Sequence, residues 1–62
     1  MPRLCKLTES ATREPIYINP IQVRFIRSAD DGTQIVFDDE HYLGVIESVD
    51  VVRQAIDDAI RA

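Results

Sequence analysis

A proline lies between two short apolar runs in the stretch YINPIQVRFI, which covers residues 17–26. Proline has no backbone N–H to donate to a sheet ladder, and its φ angle is fixed. The preceding Asn19 is a turn-forming residue, because its side chain can bond to the backbone two residues further on. Asn19-Pro20 therefore predicts that the chain turns here and that two separate strands flank the turn.

Alternation of apolar and polar residues predicts about five short strands in the first three quarters of the chain. They cover residues 4–8, 16–18, 21–28, 33–38 and 42–47. Asp-Gly at residues 31–32 is a strong hairpin signal, and the acidic run at residues 38–41 predicts a second turn. Cys5 and Leu7 are expected to face the core. Ile26 breaks the alternation of its strand, which indicates either a β-bulge or a second covered face.

The hydrophobic period changes after residue 47 and predicts an amphipathic helix. Its apolar stripe consists of Val49, Val52, Ile56, Ala59 and Ile60. Ser48 is a suitable N-cap, and Asp50 in the first turn suits the helix dipole. The predicted fold is a single α+β domain over residues 1–62. It is a small antiparallel β-meander of about five short strands, with one C-terminal amphipathic helix packed on one face.

One helix covers only one face of such a sheet. The second face and the edges stay exposed. We assign four apolar side chains to that second face as a candidate interaction face: Tyr17, Ile26, Val36 and Tyr42, with Ile46 as the alternative to Tyr42. A 62-residue chain buries a small core, and its single cysteine excludes an intramolecular disulfide. A homo-oligomer with a further, unidentified protein partner is therefore expected.

The residues that carry reactive groups form no recognisable catalytic set. His41 has no apparent nucleophile nearby in the sequence pattern, and Cys5 alternates with Leu7 as a small buried hydrophobe. The carboxylates of residues 38–40 lie in a predicted turn, where consecutive side chains point in different directions rather than converging on a metal. The sequence predicts a non-enzymatic protein without cofactor or metal.

A nucleic-acid-binding regulator is the alternative hypothesis. Lys6, Arg24 and Arg27 could share one face of the sheet and contact phosphates. The net charge of −4 opposes this, because affinity for phosphate backbones depends on Lys and Arg displacing counterions. Nucleic acid is therefore the less favoured partner.

The chain contains no apolar run of the 18 or so residues that a membrane span needs. Its first ten residues, MPRLCKLTES, are charged and lack the apolar core of a signal peptide. A single unpaired cysteine is typical of a reducing compartment. We therefore expect a cytoplasmic protein without a membrane span.

Four short motifs occur in order along nearly the whole chain: KLT at residues 6–8, INP at 18–20, a turn with Gly32, and ESVDVVRQAI at 47–56. Together they resemble the FlbD-like family of small flagellar and swarming-motility proteins. The chain departs from that family in a longer loop at residues 9–15, an acidic turn at 38–40, and Val51 in place of an acidic residue. The resemblance implies a cytoplasmic accessory role in motility without catalysis.

The carbon storage regulator family resembles this chain in layout only. Its members have a similar length, several strands and one C-terminal helix, and they bind RNA as strand-exchanged dimers. Beyond that layout, this sequence shares only the Leu-Thr pair at residues 7–8. Its acidity and the lack of a basic residue at the start of the helix argue against RNA binding.

Overall fold

A computed structural model describes residues 3–38 and 41–61. The predicted α+β class is confirmed, since five antiparallel strands precede one C-terminal helix. The elements in chain order are β1 (Cys5–Thr8), β2 (Pro15–Ile18), a 3-10 helix (Pro20–Gln22), β3 (Phe25–Ala29), β4 (Gly32–Val36), β5 (Tyr42–Val45) and α1 (Val49–Arg61).

Asn19-Pro20 ends β2 and starts the 3-10 helix. The Asn19 side chain accepts a hydrogen bond from the backbone N–H of Ile21 at 3.2 Å. Pro20 occupies the first helical position, where the missing N–H has no intrahelical partner to lose. The predicted turn between two strands is confirmed.

The strands form two small sheets, a β1–β2 hairpin and a three-stranded sheet in the order β3–β4–β5. Two backbone hydrogen bonds join the two sheets where β1 and β5 end. The N–H of Ile46 donates to the carbonyl of Thr8 at 3.0 Å, and the N–H of Ser10 donates to the carbonyl of Gly44 at 2.9 Å. The end of β1 therefore pairs with the end of β5, and the spatial order is β2–β1–β5–β4–β3.

A β-bulge lies at the start of β3. Val36 is the register partner of Phe25, and its carbonyl also accepts the backbone N–H of Arg24 at 2.8 Å. Arg24 and Phe25 thus both oppose the single residue Val36. The extra residue shifts the inward–outward alternation of the side chains by one position. Val23 and Ile26 consequently both pack against the core, although they are three residues apart.

Ile26 does not lie on the second face where the sequence placed it. It is the register partner of Ile35, which is fully buried, and paired residues share a face. The reason for the correction is the bulge, which turns Ile26 inward and Phe25 outward.

The core lies between the sheets and α1. It consists of Cys5, Leu7, Ile18, Ile35, Val45, Val52 and Ala59. The Ser48 hydroxyl accepts the N–H of Val51 at 3.4 Å, which confirms the predicted N-cap. Ile60 differs from the prediction, because it is exposed at the edge of the apolar stripe. With 13 residues, α1 is too short to cross a membrane, and the described part of the chain holds no other candidate helix.

Candidate interaction face

The face of the three-stranded sheet that points away from the core has an apolar row across its middle. Phe25, Val36 and Tyr42 are register partners on β3, β4 and β5, so they share this face. Arg27 and Gln34 form the neighbouring row. We call these five residues, Phe25, Arg27, Gln34, Val36 and Tyr42, the outer face.

The two aromatic rings of the outer face are open to solvent. Phe25 is 46% exposed and Tyr42 is 67% exposed, whereas Val36 between them is only 9% exposed. The outer face therefore carries an apolar row in which two exposed aromatic rings flank the buried Val36. Surfaces rich in Phe and Tyr are typical of the central part of protein interfaces.

Arg27 is held in place at one end of the outer face. Its Nε–H donates to the Gln34 Oε1 atom at 2.6 Å. Its guanidinium carbon lies 5.9 Å from the centroid of the Phe25 ring, within the range of a cation–π contact. The terminal amino groups of Arg27 are further hydrogen-bond donors.

Asp38 lies at the opposite end of the same shallow groove, which all five outer-face residues line. Its Oδ1 atom accepts the backbone N–H of His41 at 2.9 Å and lies 2.8 Å from the His41 Nδ1 atom. These contacts close the turn after β4. The groove thus carries a cation at one end and a carboxylate at the other, with the apolar row between them.

The structure brings together only part of the predicted interaction face. Val36 and Tyr42 lie on the outer face, and Ile26 lies in the core. Tyr17 is 62% exposed but belongs to the β1–β2 hairpin, where its register partner is Lys6. The sequence does not predict Phe25 as part of the outer face, because simple alternation from Val23 directs its side chain inward. The broken alternation at Ile26 is the one sign of a bulge in the sequence of this strand.

Tyr17 lines a second cleft, between the hairpin and the turn after β4. Phe37, Asp38 and His41 line it as well, together with Ile18, Asn19 and Gln22. A histidine beside a carboxylate resembles a general base, but no Ser, Thr, Cys or Lys is among these lining residues. Within residues 3–38 and 41–61, no three His, Cys, Asp or Glu side chains converge as metal ligands. Asp39 and Glu40 of the predicted acidic turn lie outside the described residues.

The three basic residues of the nucleic-acid hypothesis line different surfaces. Lys6 borders a groove between β1 and α1, together with Arg3, Asp58 and neighbouring apolar residues. Arg27 belongs to the outer face, and the exposed Arg24 at the bulge lines neither groove. The groove beside Lys6 also holds the carboxylate of Asp58, which weakens its attraction for phosphate.

Comparison with protein-family models, curated proteins and solved structures found no match to this chain. The FlbD-like resemblance therefore rests on its motifs. Two of them meet in the fold, because the Thr8 N–H donates to the Glu47 Oε1 atom at 3.0 Å. The hydroxyl of Thr33, next to Gly32, donates to the Glu47 carbonyl at 2.8 Å. These motif residues thus have an architectural role, joining β1, β4 and the start of α1.

Proposed function

We propose that this chain is a non-enzymatic interaction domain that self-associates through its outer face. The observation that carries the proposal is the apolar row of Phe25, Val36 and Tyr42, in which both aromatic rings are exposed. Burial of apolar surface contributes about 25 cal/mol per Å². A second molecule on this face would add to the small core that 62 residues provide.

We further propose a cytoplasmic accessory role in motility, with a protein partner bound at a sheet edge. Support for the motility role comes from the four motifs shared in order with the FlbD-like family. Support for the edge comes from β3, which is the terminal strand of the three-stranded sheet. An extended peptide can add a strand to such an edge through main-chain hydrogen bonds.

The self-association is tested by sedimentation equilibrium of the wild-type chain and of Tyr42→Glu. Ile21→Glu is the matched control, because Ile21 is 64% exposed against 67% for Tyr42 but lies on the 3-10 helix. We expect the wild type and Ile21→Glu to self-associate equally and Tyr42→Glu to be monomeric. A monomeric wild type, or equal association of all three proteins, would exclude self-association through the outer face.

The motility role is tested by deleting the gene in its native cell and measuring swarming and swimming. We expect the deletion to reduce spreading, and we expect wild type and Ile21→Glu, but not Tyr42→Glu, to restore it. Normal motility in the deletion strain would remove the flagellar part of the proposal. It would leave the self-association to be judged by sedimentation alone.

A further inference from the structure

The hydrogen-bond pattern of β4 fixes the direction of the backbone groups of β3. In an antiparallel sheet, the N–H and C=O groups of successive residues point alternately to the two sides of the strand. The N–H of Phe37 donates to the carbonyl of His41 at 2.9 Å, on the side of β5. By this alternation, Gln34 and Val36 bond to the other side, toward β3. The Val36 carbonyl accordingly accepts the N–H of Arg24 on that side.

Two residues of β3 therefore direct their backbone groups to the free edge of the sheet. Phe25 and Arg27 are the register partners of the two β4 residues that bond toward β3, so their own groups point to β4. Ile26 and Ser28 alternate with them and point away. In residues 3–38 and 41–61, no strand pairs with these groups and no backbone hydrogen bond reaches them. We call this part of the strand, residues 26–28, the open edge.

A second copy of the chain is a poor occupant of the open edge. Two antiparallel β3 strands satisfy all the open groups in one register only, in which Ile26 of each copy lies opposite Ser28 of the other. That register places the two Arg27 side chains directly opposite each other. Like charges in such a pair destabilise the sheet. The open edge therefore disfavours pairing with itself.

The charges beside the open edge change sign along the strand. Arg27 is exposed at its centre, and the Nε–H bond to Gln34 leaves the terminal amino groups as further donors. Asp30 and Asp31 follow in the exposed hairpin turn. Arg24 lies beyond the other end, at the bulge, and has contacts of its own. An incoming strand thus meets a cation at its centre and carboxylates past one end.

We propose that the open edge binds an extended segment of a partner protein, antiparallel to β3, with the order basic, any, acidic, apolar, apolar. This inference rests on the edge binding proposed above. The acidic residue lies opposite Arg27, and the apolar residues lie opposite the half-buried Ile26 and opposite Phe25. The basic residue lies opposite Ala29, next to the carboxylates of the hairpin turn.

Antiparallel pairing suits these side chains. Ile26 and Ser28 exchange both backbone hydrogen bonds with the residues opposite them. Arg27 belongs to the closer, non-hydrogen-bonded kind of pair, whose Cα atoms lie about 4.5 Å apart. A carboxylate opposite Arg27 is therefore within reach of its guanidinium, and opposite charges in such pairs stabilise a sheet.

Two synthetic peptides of identical composition test the proposal against the isotope-labelled full chain. One contains Lys-Thr-Glu-Val-Val between serine flanks, and the other contains Glu-Thr-Lys-Val-Val in the same flanks. We expect the first to bind at least about tenfold more tightly in an NMR titration, because the exchange turns two attractions into repulsions. Near saturation, it should slow hydrogen exchange at the amides of Ile26 and Ser28.

The amide of Tyr17 is an internal control on the other edge of the sheet. The Glu9 N–H donates to the Glu14 carbonyl at 3.0 Å, so by alternation along the hairpin the Tyr17 N–H points away from β1. Its exchange should stay unchanged when the peptide binds. Equal slowing at Tyr17 would overturn the choice of the β3 edge.

Substitutions give a second readout. Ser28→Pro blocks the open edge but removes no bond to β4, because proline is tolerated where the N–H faces away from the sheet. We expect it to abolish binding of the first peptide. Arg27→Glu should remove the preference between the two peptides. Arg53→Glu makes the same charge change on the exposed side of α1 and should keep the preference.

The outcomes separate this inference from the proposed function. Equal affinity of the wild type for both peptides, with Ile26 and Ser28 protected, would overturn the charge pattern and leave the edge as a binding site. Unchanged exchange at both amides would overturn edge binding itself. The peptide comparison needs no substitution, so it decides even if a variant fails to fold. Self-association through the outer face is judged independently, by sedimentation.

Discussion

At Gly32, the hairpin between β3 and β4 passes directly over the backbone that follows β5. Its φ angle is +146°, a region that L-residues rarely adopt. A Cβ atom at this position would collide with the carbonyl oxygen of Val45 and lie 3.0 Å from the Cα atom of Ile46. The glycine of the predicted hairpin is therefore required by the neighbouring strand as well as by the turn.

We expect Gly32→Ala to lower the free energy of unfolding by about 3 kcal/mol or more, because it adds backbone strain and a steric clash. Urea denaturation measures this loss. Gly44→Ala is the control: its Cβ would meet only the Ser10 hydroxyl at 2.8 Å, and that side chain can rotate away. The control should lose less than about 1 kcal/mol. Equal losses at the two positions would show that the close approach at Gly32 is absent.

Cys5 makes the free energy of unfolding depend on pH in the alkaline range. Burial raises the pKa of its thiol above the ordinary value of 9.0, and the carboxylate of Asp58 raises it further. Arg3 and Lys6 border the same groove. Above the ordinary pKa, the unfolded chain releases the thiol proton while the folded chain retains it. This thiol therefore adds no pH dependence to the stability well below its ordinary pKa of 9.0, and it lowers the stability as the pH rises above that value.

We expect the wild type to lose more stability above pH 9 than Cys5→Ala does. Chemical denaturation at a series of pH values measures the difference in slope. Loss of the sulfur lowers the absolute stability of Cys5→Ala at every pH, so the comparison concerns the pH dependence alone. Parallel curves for the two proteins would contradict a raised thiol pKa.

At the scale of the elements, Glu47 connects β1 and β4 to the start of α1. Its carboxylate accepts the N–H of Thr8 at the end of β1, and its carbonyl accepts the hydroxyl of Thr33 in β4. We expect Glu47→Ala to cost about 1–3 kcal/mol, because the partly buried N–H of Thr8 loses a charged acceptor. Glu47→Gln retains an acceptor oxygen and should lose less. Thermal unfolding of both variants measures the difference, and a Gln variant as unstable as the Ala variant would argue against the bond.

Elements with a strong local signal could be predicted from the sequence. The period of α1, the Ser48 cap, the Asn19-Pro20 turn and the inward side of β1 all follow from a few adjacent residues. The bulge at Arg24 and Phe25 could be indicated but not located, because an extra residue in one strand is defined only by its partner strand. For that reason the sequence directs Phe25 inward and Ile26 outward, whereas the structure has Phe25 on the outer face and Ile26 against the core.

The candidate site could be predicted only in part for the same physical reason. Val36 and Tyr42 alternate regularly with core residues, and their outward direction follows from period alone. Phe25 depends on the bulge, and the bond from Arg27 to Gln34 depends on the register of β3 against β4. Tyr17 has the right character but lies on the other sheet, a separation that no local pattern shows.

At the scale of the whole molecule, the proposed self-association would add buried apolar surface to a small core. If the dimer is the stable form, the midpoint of thermal unfolding rises with protein concentration by mass action. We expect such a rise for the wild type and for Ile21→Glu, and no rise for Tyr42→Glu. Differential scanning calorimetry over a wide range of concentrations measures this. A wild-type midpoint independent of concentration would contradict the dimer.

The pairing of the end of β1 with the end of β5 has a consequence for how the chain is made. The ribosome synthesises β1 first, but the strand and the helix that cover it come last. Cys5 and Leu7 pair with Ile18 and Ile16 of β2. Val52 and Ala59 of the same core are absent until α1 has been translated. Contacts between residues so distant in sequence also slow folding. We therefore expect the domain to complete its fold only after α1 has left the ribosome.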